Sequence, residues 1–101
     1  MRRVGPGRPF GEIRLSDIPR SKEFRPFPMK DSEPVELTYP EYEAFRLADN
    51  EGLTQEDVAK SMCTSRGTVW RLLTSARKKV AQAITESRPL FISKKGEIEK
   101  A

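Results

Sequence analysis

Apolar and polar residues repeat with a helical period through the second half of the chain, and this rhythm predicts most of the architecture. Val69, Leu72, Leu73, Ala76, Val80 and Ile84 form one stripe along a helix. That helix should begin after Ser65 and continue to about Thr85, and Pro89 ends helical possibilities. Val58, Ala59 and Met62 mark a shorter helix, from about Gln55 to Met62, with Thr54 as its cap and Glu56 and Asp57 near its positive end. Ala59 is small where the two helices must cross closely, and Cys63-Thr64 form the turn between them. Further upstream, Tyr42, Phe45 and Ala48, with Leu47 beside them, give a core stripe for a first helix. Thr38 and Glu41 have the spacing of a capping box, with Leu37 and Tyr42 at the hydrophobic staple positions. Pro40 is tolerated in the first turn, where the donor it lacks would have no intrahelical partner, and Gly52 is a natural C-terminal stop.

Outside these helices the rhythm is lost. Residues 1–36 hold six of the eight prolines, which disfavours long helices there. Phe10, Ile13, Leu15, Ile18, Phe24, Phe27 and Met29 argue against a purely solvated tail, so an extended arm with a short strand or turn, packed on the helical core, is expected. Disorder of the first ten or so residues is the competing reading. Leu90-Phe91-Ile92 is a short β-prone run that could pair with the arm or with a second subunit, and Lys94-Lys95-Gly96 reads as a turn or tail. The expected fold is mostly α: a trihelical core over 37–88, an extended arm over 1–36, and a short strand and tail over 89–101.

At 101 residues the chain is one small domain with a limited core, so help from dimerisation or from strand pairing of the tails is expected. The net charge of +4 conceals a strong pattern. Residues 1–30 carry eight basic and three acidic residues, 31–59 one basic and nine acidic, and 60–101 ten basic and three acidic. A basic–acidic–basic layout suits a protein that presents one cationic face to a polyanion, although an unevenly charged solvated surface is the plainer reading. One cysteine and no histidine exclude an intramolecular disulfide and a cysteine–histidine zinc cluster. No apolar run approaches membrane-spanning length, and the N-terminus lacks the apolar stretch of a secretory signal; a cytoplasmic protein without a membrane partner is expected.

With its core stripe turned inward, the long helix turns Arg66, Gly67, Trp70, Arg71, Thr74, Arg77 and Lys78 outward. Residues near the start of such a helix reach base edges in the major groove of double-stranded DNA. Arg66 and Arg71 could each donate two hydrogen bonds to guanine. Thr68 and Thr74 could reach phosphate, or Thr68 could help satisfy the helix start together with Ser65. Gly67 leaves room for close approach to DNA. Trp70 either contacts a thymine methyl or sugar, or packs against protein. Arg77, Lys78 and Lys79 lie where phosphate contacts would fall, or they form an ordinary solvated helix end. Cys63 sits where glycine is common, and a left-handed backbone there would cost it something. A partly buried structural thiol is expected over a redox role. Of the nine carboxylates in 31–59, several serve helix starts and the rest read as an exposed face. Without histidine, a phosphate-binding glycine loop or a nucleophile motif, no catalytic residue and no enzymatic activity are expected.

The run from Leu37 to Ile84, through EYEAFRLADNEGLTQEDVAKSM, SRGTVWRLL and SARKKVAQAI, resembles a family of small, uncharacterised bacterial and archaeal predicted DNA-binding proteins. Their helix-turn-helix is similar to region four of sigma factors. The RRV start, FRPFP and PLFISKKG also fit the family layout, less specifically. The resemblance implies a transcriptional regulator, with Ser65, Arg66, Gly67, Trp70, Arg71 and Thr74 at the base-facing part of the motif. Two departures stand out: Cys63-Thr64 replace the usual glycine and apolar residue, and the arm lacks the cysteines that many relatives carry. Some relatives are joined to a domain resembling dinitrogenase iron–molybdenum cofactor proteins, but nothing in this sequence calls for a metal or cofactor. The expected partners are double-stranded DNA and a second copy of the chain, since a lone module of this size gains affinity by binding two half-sites. The alternative is a protein-interaction module that contacts RNA polymerase or another regulator through its acidic half or Trp70.

Overall fold

The computed structural model describes residues 13–93 apart from 17 and 21. The elements run β1 (Glu23–Phe24), β2 (Val35–Thr38), α1 (Tyr39–Phe45), a π-helical continuation (Arg46–Asn50), α2 (Gln55–Met62), α3 (Arg66–Glu86) and β3 (Leu90–Ser93). About half of the described residues are helical, in the three helices expected, and the strands form one three-stranded sheet, more β structure than the short strands expected. The expected turn at Lys94-Lys95-Gly96 and the first twelve residues of the arm lie outside the described residues.

Local chemistry sets the helix boundaries. Thr38 Oγ1 accepts from the Glu41 backbone N–H at 3.3 Å while Glu41 Oε1 accepts from the Thr38 N–H at 2.9 Å, the reciprocal capping box that the spacing implied. Pro40 occupies the first turn. Gly52, at φ 80°, turns the chain after the π-helical segment. Thr54 caps α2 through the Asp57 N–H at 3.1 Å, and Ser65 caps α3 through the Thr68 N–H at 3.0 Å. Both α2 and α3 end in Schellman motifs. Thr64 N–H reaches Ala59 O at 3.0 Å with Cys63 left-handed at φ 57°, and Arg88 N–H reaches Ala83 O at 3.0 Å with Ser87 at φ 51°.

The C-terminal strand holds the middle of the sheet, in the order β1-β3-β2. It pairs antiparallel with β1, Glu23 opposite Phe91, and parallel with β2, Val35 opposite Leu90 through Thr38 opposite Ser93. Of the two partners anticipated for this strand, the arm supplies β1. The second strand, β2, spans the expected arm boundary at residue 36 and was not anticipated, although its alternation is visible: Val35 and Leu37 point into the core and Glu36 points out. Parallel strands need a long crossover, and here the whole helical unit provides it.

Two apolar clusters result. Ala44, Leu47, Val58, Ala59, Met62, Val69 and Leu73 join α1, its π-helical extension, α2 and α3, with Ile13 from the arm packed against them. Leu37, Ala76 and Ile92 join the sheet to α3, flanked by Tyr39, Tyr42, Phe45 and Leu90. One expected core residue lies elsewhere: Ile84 is 72% exposed and Ala83 is buried in its place. The seven-residue α1 and eight-residue α2 do not extend to the last turns of the 21-residue α3, and the sheet meets the side carrying Ala83.

The acidic stretch also differs from the expected exposed face. Glu43 is fully buried, and Glu41 is 7% exposed. Glu43 Oε2 accepts from the backbone N–H of Ser16 at 2.9 Å and from its hydroxyl, while Arg46 donates to both carboxylate oxygens at 3.2 Å. Glu41 takes Lys79 Nζ at 2.8 Å and the Ser75 hydroxyl. A carboxylate is tolerated in such a place only when cations and donors surround it, and here they come from the arm, from Arg46 one turn along, from the Thr38 cap and from α3.

Candidate functional site

The outward side of α3 is where the expected residues come together. Arg66, Gly67, Trp70, Arg71, Thr74, Arg77 and Lys78 are all exposed, while Ser65 and Thr68 at the helix start are half-buried. The buried side of the same helix, Val69, Leu73 and Ala76, fixes its rotation against α1 and α2, so the exposed side is presented on a packed support. At the helix start the Ser65 hydroxyl donates to Thr68 Oγ1 at 3.0 Å, and Arg71 Nη2 donates to the same oxygen at 3.4 Å. Thr68 is therefore engaged in capping and in orienting Arg71.

The cations of α3 divide into two sets. Arg77 is held by Asp49 in a fork, Nε to Oδ2 at 2.9 Å and Nη2 to Oδ1 at 2.7 Å. The hydrogen bonds from Arg77 hold the Asp49 carboxyl below its ordinary value, and the same pairing raises the Arg77 guanidinium. Lys79 turns to Glu41 and leaves the outward face, contrary to the expectation of a phosphate contact. Burial pushes the Glu41 carboxyl up, but hydrogen bonds from Lys79, Ser75 and the Thr38 backbone more than offset this and hold it below its usual value. Among the described residues Arg66 and Lys78 make no ion pair, and the hydrogen bond of Arg71 goes to neutral Thr68. Among the described residues the unpaired positive charge of the helix is thus Arg66, Arg71 and Lys78, with Arg77 paired to Asp49 beside them.

Gly67 has no packing reason within the chain. A Cβ there would meet Arg71 Nη1 and Ser65 Oγ at 3.9 Å, ordinary contact distance. Trp70 is 58% exposed, so the chain itself does not cover it. Cys63 precedes α3 as an exposed thiol, which corrects the expected partly buried one: its left-handed backbone turns the side chain out of the core that Met62 fills. No helix of the described residues is long and apolar enough to cross a membrane, and no group of His, Cys, Asp or Glu among them could hold a metal ion.

Residues 1–101 match the model of a family described as protein of unknown function DUF134. The chain belongs to this family. It is 48% identical over 101 residues to a UPF0251 protein of Pyrococcus furiosus, an overlap covering 95% of this chain and 92% of the relative. To a UPF0251 protein of Archaeoglobus fulgidus it is 40% identical over 94 residues, 93% and 90% of the two chains. To one of Halothermothrix orenii it is 46% identical over 85 residues, 82% of this chain and 63% of that one. No solved structure matches the chain.

One feature of the site escaped the sequence reading. Residues 58–85 contain six basic and no acidic side chains, so every acid that touches α3 in this span comes from elsewhere in the chain. Lys60, exposed on α2, belongs to this acid-free span and was not among the expected contacts. The gap between Asp57 and Glu86 was visible as a run without carboxylates.

Proposed function

We propose that the chain is a sequence-specific double-stranded DNA-binding protein that regulates transcription, with α2 and α3 acting as a sigma region-four-like helix-turn-helix and α3 entering the major groove. The observation that carries this reading is the outward face of α3: a packed helix with no acid of its own before Glu86, bearing Arg66, Arg71 and Lys78 without an acid among the described residues beside exposed Trp70, and with Asp49 meeting it only at Arg77. Near the helix start, Arg66 and Arg71 take the base-reading role, and Ser65 with Thr68 holds the first turn. Thr74 and Lys78 take phosphates, and Arg77 serves mainly to fix α3 to Asp49. Gly67 allows the helix backbone to approach the groove. No catalytic group or cofactor enters this reading.

The rival reading, an interaction module that meets RNA polymerase or another protein, draws on exposed Trp70. Its acidic-surface version is weakened because Glu41, Glu43 and Asp49 are spent on internal contacts. Fluorescence anisotropy against the chain's own upstream DNA and a scrambled duplex, at two salt concentrations, separates the readings. Arg71→Ala should erase discrimination between duplexes, on the order of 1–3 kcal/mol for a lost bidentate contact. Lys78→Ala should weaken both duplexes alike and flatten the salt dependence. Gly67→Ala should leave folding intact yet weaken the specific complex. Selected duplexes from a random pool extend the test beyond the upstream region, and failure to enrich any sequence would sink the proposal.

A further inference from the structure

Two of the three cations expected to meet phosphate along α3 are spent inside the molecule: Arg77 on Asp49 and Lys79 on Glu41, which leaves Lys78. Contacts to the phosphate backbone supply a large share of the affinity of a DNA-binding protein and set its orientation. Three cations without an ion pair among the described residues stand instead around the turn between α2 and α3. Arg66 opens α3, Lys60 lies in the last turn of α2, and Arg14 is brought there by the arm.

The placement of Arg14 is specific. Its backbone N–H donates to Met62 O at 2.9 Å, which bonds the arm to the last residue of α2. Exposure alternates along this segment: Ile13 packs on the helical cluster, Arg14 is exposed and Leu15 is half-buried. Two residues on, the Ser16 N–H donates to Glu43 Oε2 at 2.9 Å. Arg14 is therefore anchored on both sides, with its side chain turned to solvent. A cation held in this way gives up less freedom on binding than one on a loose segment. Met62 and Arg66 are four residues apart, at most about 14 Å even when fully extended. Arg14 thus shares the leading end of α3 with Arg66. The major groove is about 12 Å wide, and a helix with its side chains is about 10–12 Å across. A helix that enters the groove fills it, so a group beside its leading end meets the phosphates of the groove wall.

We propose that Arg14 and Lys60 contact the phosphate backbone beside the reading helix, which makes the arm part of the DNA interface as well as packing for the core. The inference rests on the DNA-binding reading and adds to it a residue far in sequence from the helix-turn-helix. A polyanion is the partner that fits. These cations have no paired acid among the described residues, and Glu56 and Asp57 stand in the first turn of α2, at the opposite end from Lys60.

Anisotropy titrations of the full chain over a series of salt concentrations, on the upstream and scrambled duplexes, test the contact. Arg14→Ala should flatten the slope of log affinity against log salt by about 0.9, the value of one lost phosphate, and should weaken both duplexes alike. Lys60→Ala should do the same, and Arg14→Lys should keep the wild-type slope. Lys22→Ala removes an equal charge from an exposed position beside β1 and should leave the slope unchanged. Arg14 is exposed and bonds Met62 through its backbone, so its variants should keep the circular dichroism of the wild type. An unchanged slope in Arg14→Ala, with Arg71→Ala still erasing discrimination, overturns the inference and leaves the DNA reading standing. Equal flattening by Lys22→Ala also overturns it, because the slope would then follow net charge and not a contact. Flattening by Arg14→Ala without preference between duplexes, in the wild type or from a random pool, keeps the contact and removes sequence-specific reading. A wild-type chain that binds no duplex even at low salt overturns both.

Discussion

The two halves of the core are built by different means. Around α2 and the start of α3 the contacts are apolar and close in sequence: Val58, Ala59 and Met62 meet Val69 and Leu73 within sixteen residues. Around the sheet, contacts span most of the chain. Lys22 O accepts from Ile92 N–H, Leu37 packs with Ile92, and Arg88 donates to Glu33 O 55 positions away. That half also depends on a buried carboxylate, Glu41, tying α1 to α3, while buried Glu43 ties α1 to the arm segment that lays Ile13 and Arg14 against the helical cluster. The helical pair is thus specified by local pattern, and the sheet half by the closure of long loops around polar anchors. The loop-closing half carries the larger entropic cost for each contact it makes, so it depends more on its specific anchors.

Leu73→Ala should produce the largest loss, about 2–5 kcal/mol, because it empties a fully packed site between three helices. Urea denaturation followed by both Trp70 fluorescence and far-ultraviolet circular dichroism measures it. Coincident transitions would mean that the two halves melt together, because α3 passes through both clusters. An early fluorescence transition alone would show that the helical pair melts before the sheet half.

Glu43→Gln should cost less, about 1–3 kcal/mol, since the amide keeps the volume but loses the charge-assisted bonds with Arg46 and Ser16. Proteolysis near Ser16 should rise with it, as the arm loses its anchor. A variant as stable and as protease-resistant as the wild type would show that Ile13 packing alone holds the arm.

Acid should act on the same half. Glu41 and Asp49 both titrate below their ordinary values, so the folded chain binds fewer protons than the unfolded one. Their contribution is complete above the unfolded value, about 4.5 for Glu41, and is lost as pH falls through the folded value. Asp49 is on the surface and its pair with Arg77 contributes little. With no histidine in the chain, the melting temperature should be nearly flat from about pH 5 to 8 and fall below about pH 4.5. Glu41→Gln should lower the plateau and soften the acid limb. An unchanged limb would place the acid sensitivity elsewhere.

The division between the halves also explains what could be read from the sequence. Helix caps at Thr38, Thr54 and Ser65, the Gly52 stop and the bounds of α2 rest on neighbours within four residues, and they follow from residue type. The outward face of α3 was equally legible, since it is the complement of a periodic stripe. Strand β2 was hidden because an alternation of only three residues beside a proline does not by itself mark a strand, and its partner lies at the other end of the chain. Burial of Glu43 was hidden for a related reason: its type indicates surface, and besides its neighbour Arg46 the site needs the distant Ser16 to fold back onto it. The neutralisation of Arg77 by Asp49 and the withdrawal of Lys79 depend on how α3 crosses α1 and its π-helical continuation, which no periodicity encodes.

The smallest effect is a gain. Cys63 and Ser87 hold the left-handed positions that end α2 and α3, at φ 57° and 51°, where a Cβ crowds the following carbonyl. Cys63→Gly should relieve this crowding at the cost of a more flexible unfolded chain, for a net stabilisation of up to about 1 kcal/mol. Ser87→Gly should do the same at the other Schellman turn, where the chain enters β3. Comparing the two by urea midpoint sharpens the contrast between the halves. Equal gains mean that both ends of α3 melt in one transition. A gain at Cys63 alone means that the sheet half is already loosened before the helical pair unfolds, and that its long-range anchors are the weaker part of the molecule.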